Sequence, residues 1–252
     1  QMRQLGDCLE KTLDVDALRK LGEKADIDAL GSVTVTADGS SQKCEAQKNA
    51  DLVLQNQLSG EKISHSAIRI RLGVAWDEAF CFYYRDNLEF LEKQGVQIVR
   101  FSPVHDKHLP DDLDGLLLGG GYPELHAKAL SENISMRNAI RQAVMEEMPC
   151  IAECGGYLYL KDSIVDPDGV EWPMAGVLPG SSRDTGKLGR FGYITVTSKK
   201  EGLLGPAGTE FRAHEFHHWD SEENGTDFAA KKPVGTRGWD CGYTTESFYA
   251  GF

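Results

Sequence analysis

Cys154 is a candidate nucleophile because of the residues that flank it. In P-C-I-A-E-C-G-G-Y-L-Y-L (149–160), a short apolar run precedes Cys154, and two glycines and a second apolar run follow it. This pattern predicts a sharp turn from a strand into a helix, with Cys154 at the helix N-terminus. There the unpaired N–H groups and the helix dipole favour a thiolate, and the N–H of Gly155 could stabilise an oxyanion. The alternative is a small buried cysteine beside a packing point of two glycines.

A second glycine loop follows another apolar run. Leu116, Leu117 and Leu118 are followed by G-G-G-Y-P-E (119–124). In parallel sheets the carboxyl ends of the strands lie at one edge, and ligands bind there. Two glycine-bearing loops at one edge predict a shared site, which would contain Cys154, Gly120, Gly121 and Gly155.

The apolar patterns around these loops predict the elements that position them. Strands are predicted at 68–76, 96–101, 116–118 and 150–152, and helices at 80–91, 123–130 and 134–147. This alternation predicts a doubly wound α/β domain with a mostly parallel sheet. In the C-terminal third, short and mostly antiparallel strands are predicted at 174–180, 191–197 and 238–243.

Three histidines lie close together in F-R-A-H-E-F-H-H-W-D (211–220). His214, His217 and His218 could be metal ligands, could include a base for Cys154, or could be ordinary polar residues of a strand. No cysteine lies near them, so no metal site is predicted, and the third interpretation is favoured. The run G-S-S-R-D-T-G-K (180–187) is not a P-loop, because five residues separate its glycines and Leu188 stands where Ser or Thr is needed.

Composition excludes several classes of protein. The formal charge of −12 argues against a nucleic-acid or anionic-membrane surface, and no apolar run reaches the length of a membrane helix. The six cysteines include no C-x-x-C pair, so neither a zinc site nor a disulfide framework is indicated, and a cytoplasmic protein is expected. A helix is predicted at 9–24. Residues 38–65 resemble a polar linker, which predicts an upstream segment at 1–37 and a main domain at 66–252.

The order of several motifs resembles that of a known family. These motifs are D-E-A-F-C-F-Y-Y (77–84), D-N-L-E-F-L (86–91), G-G-G-Y-P-E (119–124), A-E-C-G-G (152–156), G-V-L-P-G (176–180) and H-E-F-H (214–217). From about residue 66 to 252 the chain resembles the C-terminal, triad-type glutamine amidotransferase domain of the cobyrinate a,c-diamide synthase family. The resemblance implies a class I glutamine amidotransferase fold.

The resemblance also implies a reaction. Cys154 would attack the side-chain carboxamide of glutamine, with the N–H groups of Gly155 and Gly121 as the oxyanion hole and Gly120 beside them. The ammonia would pass to an N-terminal synthetase domain, where ATP and Mg²⁺ activate the a and c carboxylates of a corrinoid. No cofactor is expected in this chain itself, and residues 1–37 would be the tail of that domain. Alternatives are a nickel sirohydrochlorin or hydrogenobyrinate diamide synthase, or an inactive docking domain.

One family residue is expected beyond the sequence. In the family, the histidine that activates the cysteine lies in a strand of the type Y-A-x-x-x-H. F-Y-A-G-F (248–252) resembles the start of that strand. The resemblance therefore implies that this histidine follows Phe252, and a chain that ended there is expected to be a weak or inactive glutaminase.

Overall fold

The computed structural model describes residues 70–188 and 190–252. The helix predicted at 9–24, the upstream segment 1–37 and the linker 38–65 lie outside the described residues. No helix in the described part of the chain is long and apolar enough to cross a membrane.

Strands outnumber helices in the described residues. The strands, in chain order, are β1 (Arg71–Ala75), β2 (Phe80–Phe82), β3 (Gln97–Phe101), β4 (Gly115–Leu118), β5 (Gly120–Gly121), β6 (Cys150–Glu153), β7 (Ser163–Val165), β8 (Glu171–Pro173), β9 (Ser181–Asp184), β10 (Arg190–Ser198), β11 (Glu210–His217), β12 (Trp219–Ser221), β13 (Phe228–Lys231), β14 (Gly238–Cys241), β15 (Tyr243–Thr244) and β16 (Phe248–Gly251). The helices are α1 (Arg85–Lys93), α2 (Ala127–Glu132), α3 (Ile134–Met145) and α4 (Gly155–Tyr159), and a 3-10 turn covers Pro123–His126.

A six-stranded sheet forms what we call the parallel region. Its order is β15-β16-β6-β4-β1-β3, and every neighbouring pair is parallel except β15 with β16. Its central strands β4 and β6 carry short continuous apolar runs, as buried strands of parallel sheets do. For example, Val74, Leu118 and Ala152 are fully buried, and Met136 and Ile140 of α3 belong to the buried core. These features confirm the predicted α/β class with a mostly parallel sheet.

The antiparallel region contains two further sheets. One has the order β11-β10-β13-β14, and the other has the order β12-β9-β7-β8, in which β7 and β9 are parallel. Ile194, Val196, Phe228 and Ala230 form a small core of the first sheet. The strands predicted at 191–197 and 238–243 are confirmed by β10, β14 and β15, and with them the antiparallel C-terminal third.

The helix predicted at 80–91 was partly wrong. Residues Phe80–Phe82 form β2, which pairs antiparallel with β5, and the helix begins at Arg85. The Asp77 carboxylate accepts hydrogen bonds from the N–H groups of Ala79 and Phe80, which fixes a turn ahead of the strand. Phe80 has apolar neighbours at helical spacing, but its pairing with a distant glycine strand overrides that local preference.

The strand predicted at 174–180 was also wrong. This segment is an irregular loop against the C-terminus of α4. The N–H groups of Ala175 and Val177 donate to the carbonyls of Tyr159 and Leu160 at 3.0 and 2.9 Å. The loop therefore satisfies the unpaired carbonyls at the helix end and has no strand partner.

Candidate active site

Cys154 occupies a strained turn between β6 and α4. Its φ is +50° and its ψ is −104°, a conformation that residues with a side chain rarely adopt. Backbone hydrogen bonds hold it there: the Cys154 N–H donates to the Gly251 carbonyl at 2.9 Å, and the Leu158 N–H donates to the Cys154 carbonyl at 3.0 Å. The predicted sharp turn from strand to helix is confirmed.

Glycine is required directly after this turn. A Cβ added at Gly156 would lie 2.0 Å from the Leu118 carbonyl oxygen, and the Gly156 N–H donates to the Gly119 carbonyl at 2.9 Å. The start of α4 is therefore packed against the end of β4 at a distance that no other residue permits.

The structure brings the four predicted site residues together. A Cβ added at Gly120 would lie 3.7 Å from the Cys154 Cβ, and one added at Gly155 would lie 3.0 Å from the Gly121 nitrogen. The N–H groups of Gly121 and Gly155 therefore stand next to the nucleophile turn. Their role in stabilising an oxyanion stays a prediction.

Tyr83 holds this glycine corner, and sequence reasoning missed it. Its hydroxyl donates to the Ala75 carbonyl at 2.5 Å and accepts from the Gly119 N–H at 2.9 Å, which ties the ends of β1 and β4 together. The aromatic run F-C-F-Y-Y was visible in the sequence, but it was assigned to a helix.

A cavity of about 760 Å³ opens over Cys154. Both regions contribute to its wall, which is formed by Cys81, Phe82, Tyr83, Tyr84, Gly121, Tyr122, Glu124, Leu125, Cys154, Leu158, Asp184, His214, Phe216, His217, His218 and Trp219. A volume of this size admits an amino acid in an extended conformation.

The Cys154 thiol is not ionised in the way the sequence suggested. Burial and, to a smaller extent, the charges of Glu124 and Glu153 raise its pKa to about 11, against the lowering effect of the Gly155 N–H. The expected thiolate was wrong because a helix of five residues cannot outweigh burial and two carboxylates. The thiol is protonated near pH 7, so attack requires a base or a change in the local field.

The three histidines line the cavity together, and they differ in burial. His217 is buried, its Nδ1 is 2.7 Å from the Trp219 carbonyl, and its ring lies parallel to the Phe252 ring with centroids 3.8 Å apart. Burial lowers the pKa of His217, so its imidazole is neutral at pH 7. His214 and His218 are exposed. The favoured interpretation as ordinary strand residues did not anticipate that all three would line the same cavity as Cys154.

Metal binding finds no support in the described residues. They contain no group of three or more His, Cys, Asp or Glu side chains that could hold a metal ion.

Glu124 is a second residue that sequence reasoning missed. It lies in the 3-10 turn, lines the cavity and is buried, with 8% of its surface exposed. Burial raises the pKa of its carboxyl, and the charge of Asp184 raises it further. Its place in G-G-G-Y-P-E was noted only for the glycines.

Comparisons with known proteins identify the family of this chain. A family model described as the CobB/CobQ-like glutamine amidotransferase domain matches residues 71–244. The cobyrinate a,c-diamide synthase of Syntrophotalea carbinolica is 40% identical over 217 residues, which are 86% of this chain and 41% of that protein. The enzyme of the same name from Caldanaerobacter subterraneus is 39% identical over 186 residues, 73% of this chain and 41% of that protein.

Among solved structures, a crystal structure of a glutamine amidotransferase matches with a TM-score of 0.49 and 18% identity, over 71% of this chain and 87% of that chain. The aligned segments cover about two fifths of the length of the two curated relatives. Because the family model covers most of its length, the chain belongs to the family of CobB/CobQ-like glutamine amidotransferase domains.

Proposed function

We propose that the chain is the glutamine-hydrolysing part of a cobyrinate a,c-diamide synthase and releases ammonia for the amidation of a corrinoid. The observation that carries this proposal is the Cys154 turn, strained at a φ of +50°, which lines a 760 Å³ cavity together with Gly121, whose nitrogen lies close to Gly155. A strained nucleophile turn beside two backbone donors is suited to acyl transfer.

The reaction proceeds in two steps. The Cys154 sulfur attacks the side-chain carboxamide carbon of glutamine and forms a tetrahedral intermediate. The thiol proton passes through a base to the leaving nitrogen, the C–N bond breaks, and ammonia departs to leave a glutamyl thioester. Water then attacks the thioester, which releases glutamate and restores the thiol. The N–H groups of Gly155 and Gly121 stabilise the oxyanion of both intermediates, and each such donor is worth about 3–4 kcal/mol in comparable acyl transfers.

The base is the histidine that the family resemblance places after Phe252. Two contacts of the preceding residues support this assignment: the Gly251 carbonyl accepts the Cys154 N–H, and the Phe252 ring is held against His217. Strand β16 is thus bonded directly to the nucleophile turn. The proposal leaves His217 in a structural role: its Nδ1 is bonded to the Trp219 carbonyl and its ring is stacked on that of Phe252.

The acceptor chemistry belongs to the whole enzyme. The curated relatives carry the name cobyrinate a,c-diamide synthase, and from this we infer that the ammonia amidates the a and c carboxylates of a corrinoid. ATP and Mg²⁺ would act in the part of those proteins that this chain does not match. The described residues do not fit either group, because 180–187 is no P-loop and no metal-binding cluster is present there. We place the reaction in the cytoplasm.

Covalent capture tests the proposed function. The full-length enzyme, which in this proposal includes the histidine after Phe252, is incubated with 6-diazo-5-oxo-L-norleucine, a glutamine analogue that alkylates glutaminase cysteines, and the adduct is located by peptide mass analysis. We expect one adduct on Cys154, protection by glutamine, and no adduct in Cys154→Ser. Cys81→Ser is the matched control, because Cys81 is exposed and lines the same cavity. No capture, or capture at Cys81, would refute the proposal.

A further inference from the structure

Glu124 carries a buried carboxylate without a cationic partner. Only 8% of its surface is exposed. Its own backbone N–H lowers the pKa of the carboxyl, but no basic group and no other side-chain donor of the described residues does so. An ionised carboxylate in such surroundings costs free energy unless a cation or several donors approach it. The missing partner is therefore expected to come from a ligand in the cavity.

The charge of the cavity points to the same conclusion. Asp184 of β9 lines the cavity, and its charge raises the pKa of Glu124. Both carboxylates therefore contribute negative charge to the same cavity. Among the described residues that form the wall, none is Lys or Arg. Each carboxylate has a backbone N–H partner, but Asp184 is exposed and Glu124 is buried, which leaves Glu124 as the carboxylate in greater need of a cation.

We propose that Glu124, assisted by Asp184, binds the α-ammonium group of the glutamine substrate. The inference rests on the proposed function and deepens it by naming the residue that selects an α-amino acid over a simple amide. The site has a nine-tenths buried carboxylate in the same cavity wall as the nucleophile, and its ligand is a primary ammonium group.

Binding at Glu124 is coupled to the reactivity of Cys154. The negative charge of Glu124 is one of the causes that hold the thiol protonated, together with burial and Glu153. An ammonium group beside Glu124 cancels part of this field, so the thiolate forms more readily when a ligand with an α-amino group is bound. The other titratable groups that line this cavity are Cys81, Tyr83, Tyr84, Tyr122, Asp184, His214, His217 and His218.

Two electrophiles with different charges test the subsite. The diazo-ketone carries an α-ammonium group, whereas iodoacetamide is neutral and reports the thiolate alone. In Glu124→Gln we expect capture by the diazo-ketone at least about tenfold slower, the loss typical of a charged hydrogen bond. We expect iodoacetamide to modify Cys154 faster than in wild type at the same pH near 7.5. A merely structural defect would change both rates in the same direction.

Glu153→Gln is the matched control. Glu153 also raises the pKa of Cys154, but it does not line the cavity. This variant is expected to react faster with iodoacetamide and to keep the wild-type preference for the diazo-ketone over iodoacetamide. Asp184→Asn provides a second variant should Glu124→Gln fold poorly, and it is expected to slow diazo-ketone capture by a smaller factor.

The outcomes separate the two proposals. Failure of the diazo-ketone to capture wild-type protein refutes the proposed function. Capture of wild type and of both cavity variants at equal rates refutes the ammonium subsite alone. Parallel losses with both electrophiles in folded variants, checked by thermal unfolding, also refute the subsite.

Discussion

The parallel and antiparallel regions meet at the Cys154 cavity, and they are built differently. The parallel region contributes the nucleophile turn and the glycine corner, which rest on fully buried residues such as Leu118 and Ala152. The antiparallel region contributes β11, which alternates between buried residues such as His217 and exposed ones such as Phe216, 60% exposed. The core therefore fixes where the nucleophile stands, whereas one face of the opposite wall can change without loss of packing.

The largest effect is expected from Gly156→Ala. The added Cβ would meet the Leu118 carbonyl oxygen at 2.0 Å, so β4 and α4 must move apart. We expect a loss of about 3 kcal/mol or more in the free energy of unfolding, measured by urea denaturation. Gly208→Ala in the antiparallel region is the control: space is open there and φ is +87°, so a cost of about 1–2 kcal/mol is expected. Equal losses of stability in the two variants would contradict the difference in packing between the two regions.

The contribution of an aromatic side chain of the antiparallel sheet to stability should depend strongly on which face of the sheet it occupies. Phe228→Ala is expected to cost about 3–5 kcal/mol, because Phe228 is 1% exposed in the small core. Phe216→Ala should stay within about 0.5 kcal/mol of wild type in the same measurement. A loss above about 1 kcal/mol for Phe216→Ala would show that the exposed face also stabilises the fold.

Tyr83→Phe tests whether the glycine corner depends on one hydroxyl. The change leaves the Ala75 carbonyl and the Gly119 N–H without this partner, and we expect a loss of about 1–3 kcal/mol in the free energy of unfolding. Capture of Cys154 by the diazo-ketone should also slow. Tyr84→Phe is the matched control, because Tyr84 is 81% exposed and should change neither quantity.

The smallest effects concern pH, and they should have opposite signs in the two regions. The pKa of His217 is lowered, so below about pH 6.5 the unfolded chain binds more protons and stability falls as pH falls. The pKa of Glu124 is raised, so stability is lost as pH rises above 4.5. The stability of His217→Phe relative to wild type should therefore increase as the pH falls from about 7 to 5. The stability of Glu124→Gln relative to wild type should increase as the pH rises over the same range. Urea unfolding across this range measures both, and a shared sign would contradict the assignment.

Sequence patterns predicted the parallel region well because its signals are local. The apolar run before Cys154 and the glycines after it are adjacent in the chain, and their conformation depends on a few neighbouring backbone groups. The strands at 116–118 and 150–152 are likewise continuous apolar runs, as is typical of strands inside a parallel sheet.

Properties that arise between distant segments escaped the same reasoning. The Cys154 thiol is held protonated partly by Glu124, which belongs to another loop, and Glu124 in turn responds to Asp184 of the antiparallel region. Phe80 became a strand residue because Gly121 offered a partner. The position of His217 against Phe252 likewise joins two segments that no periodicity connects.

The positive φ at Cys154 creates a conflict between the thermal stability of the domain and its reactivity. Only glycine adopts such a φ without cost, so Cys154→Gly is expected to outlast the natural chain on heating while losing its sulfur. A laboratory screen that rewards heat resistance alone would drift toward this substitution. Directed evolution of a more heat-resistant domain must therefore also select, at every round, for variants whose Cys154 still reacts with the diazo-ketone.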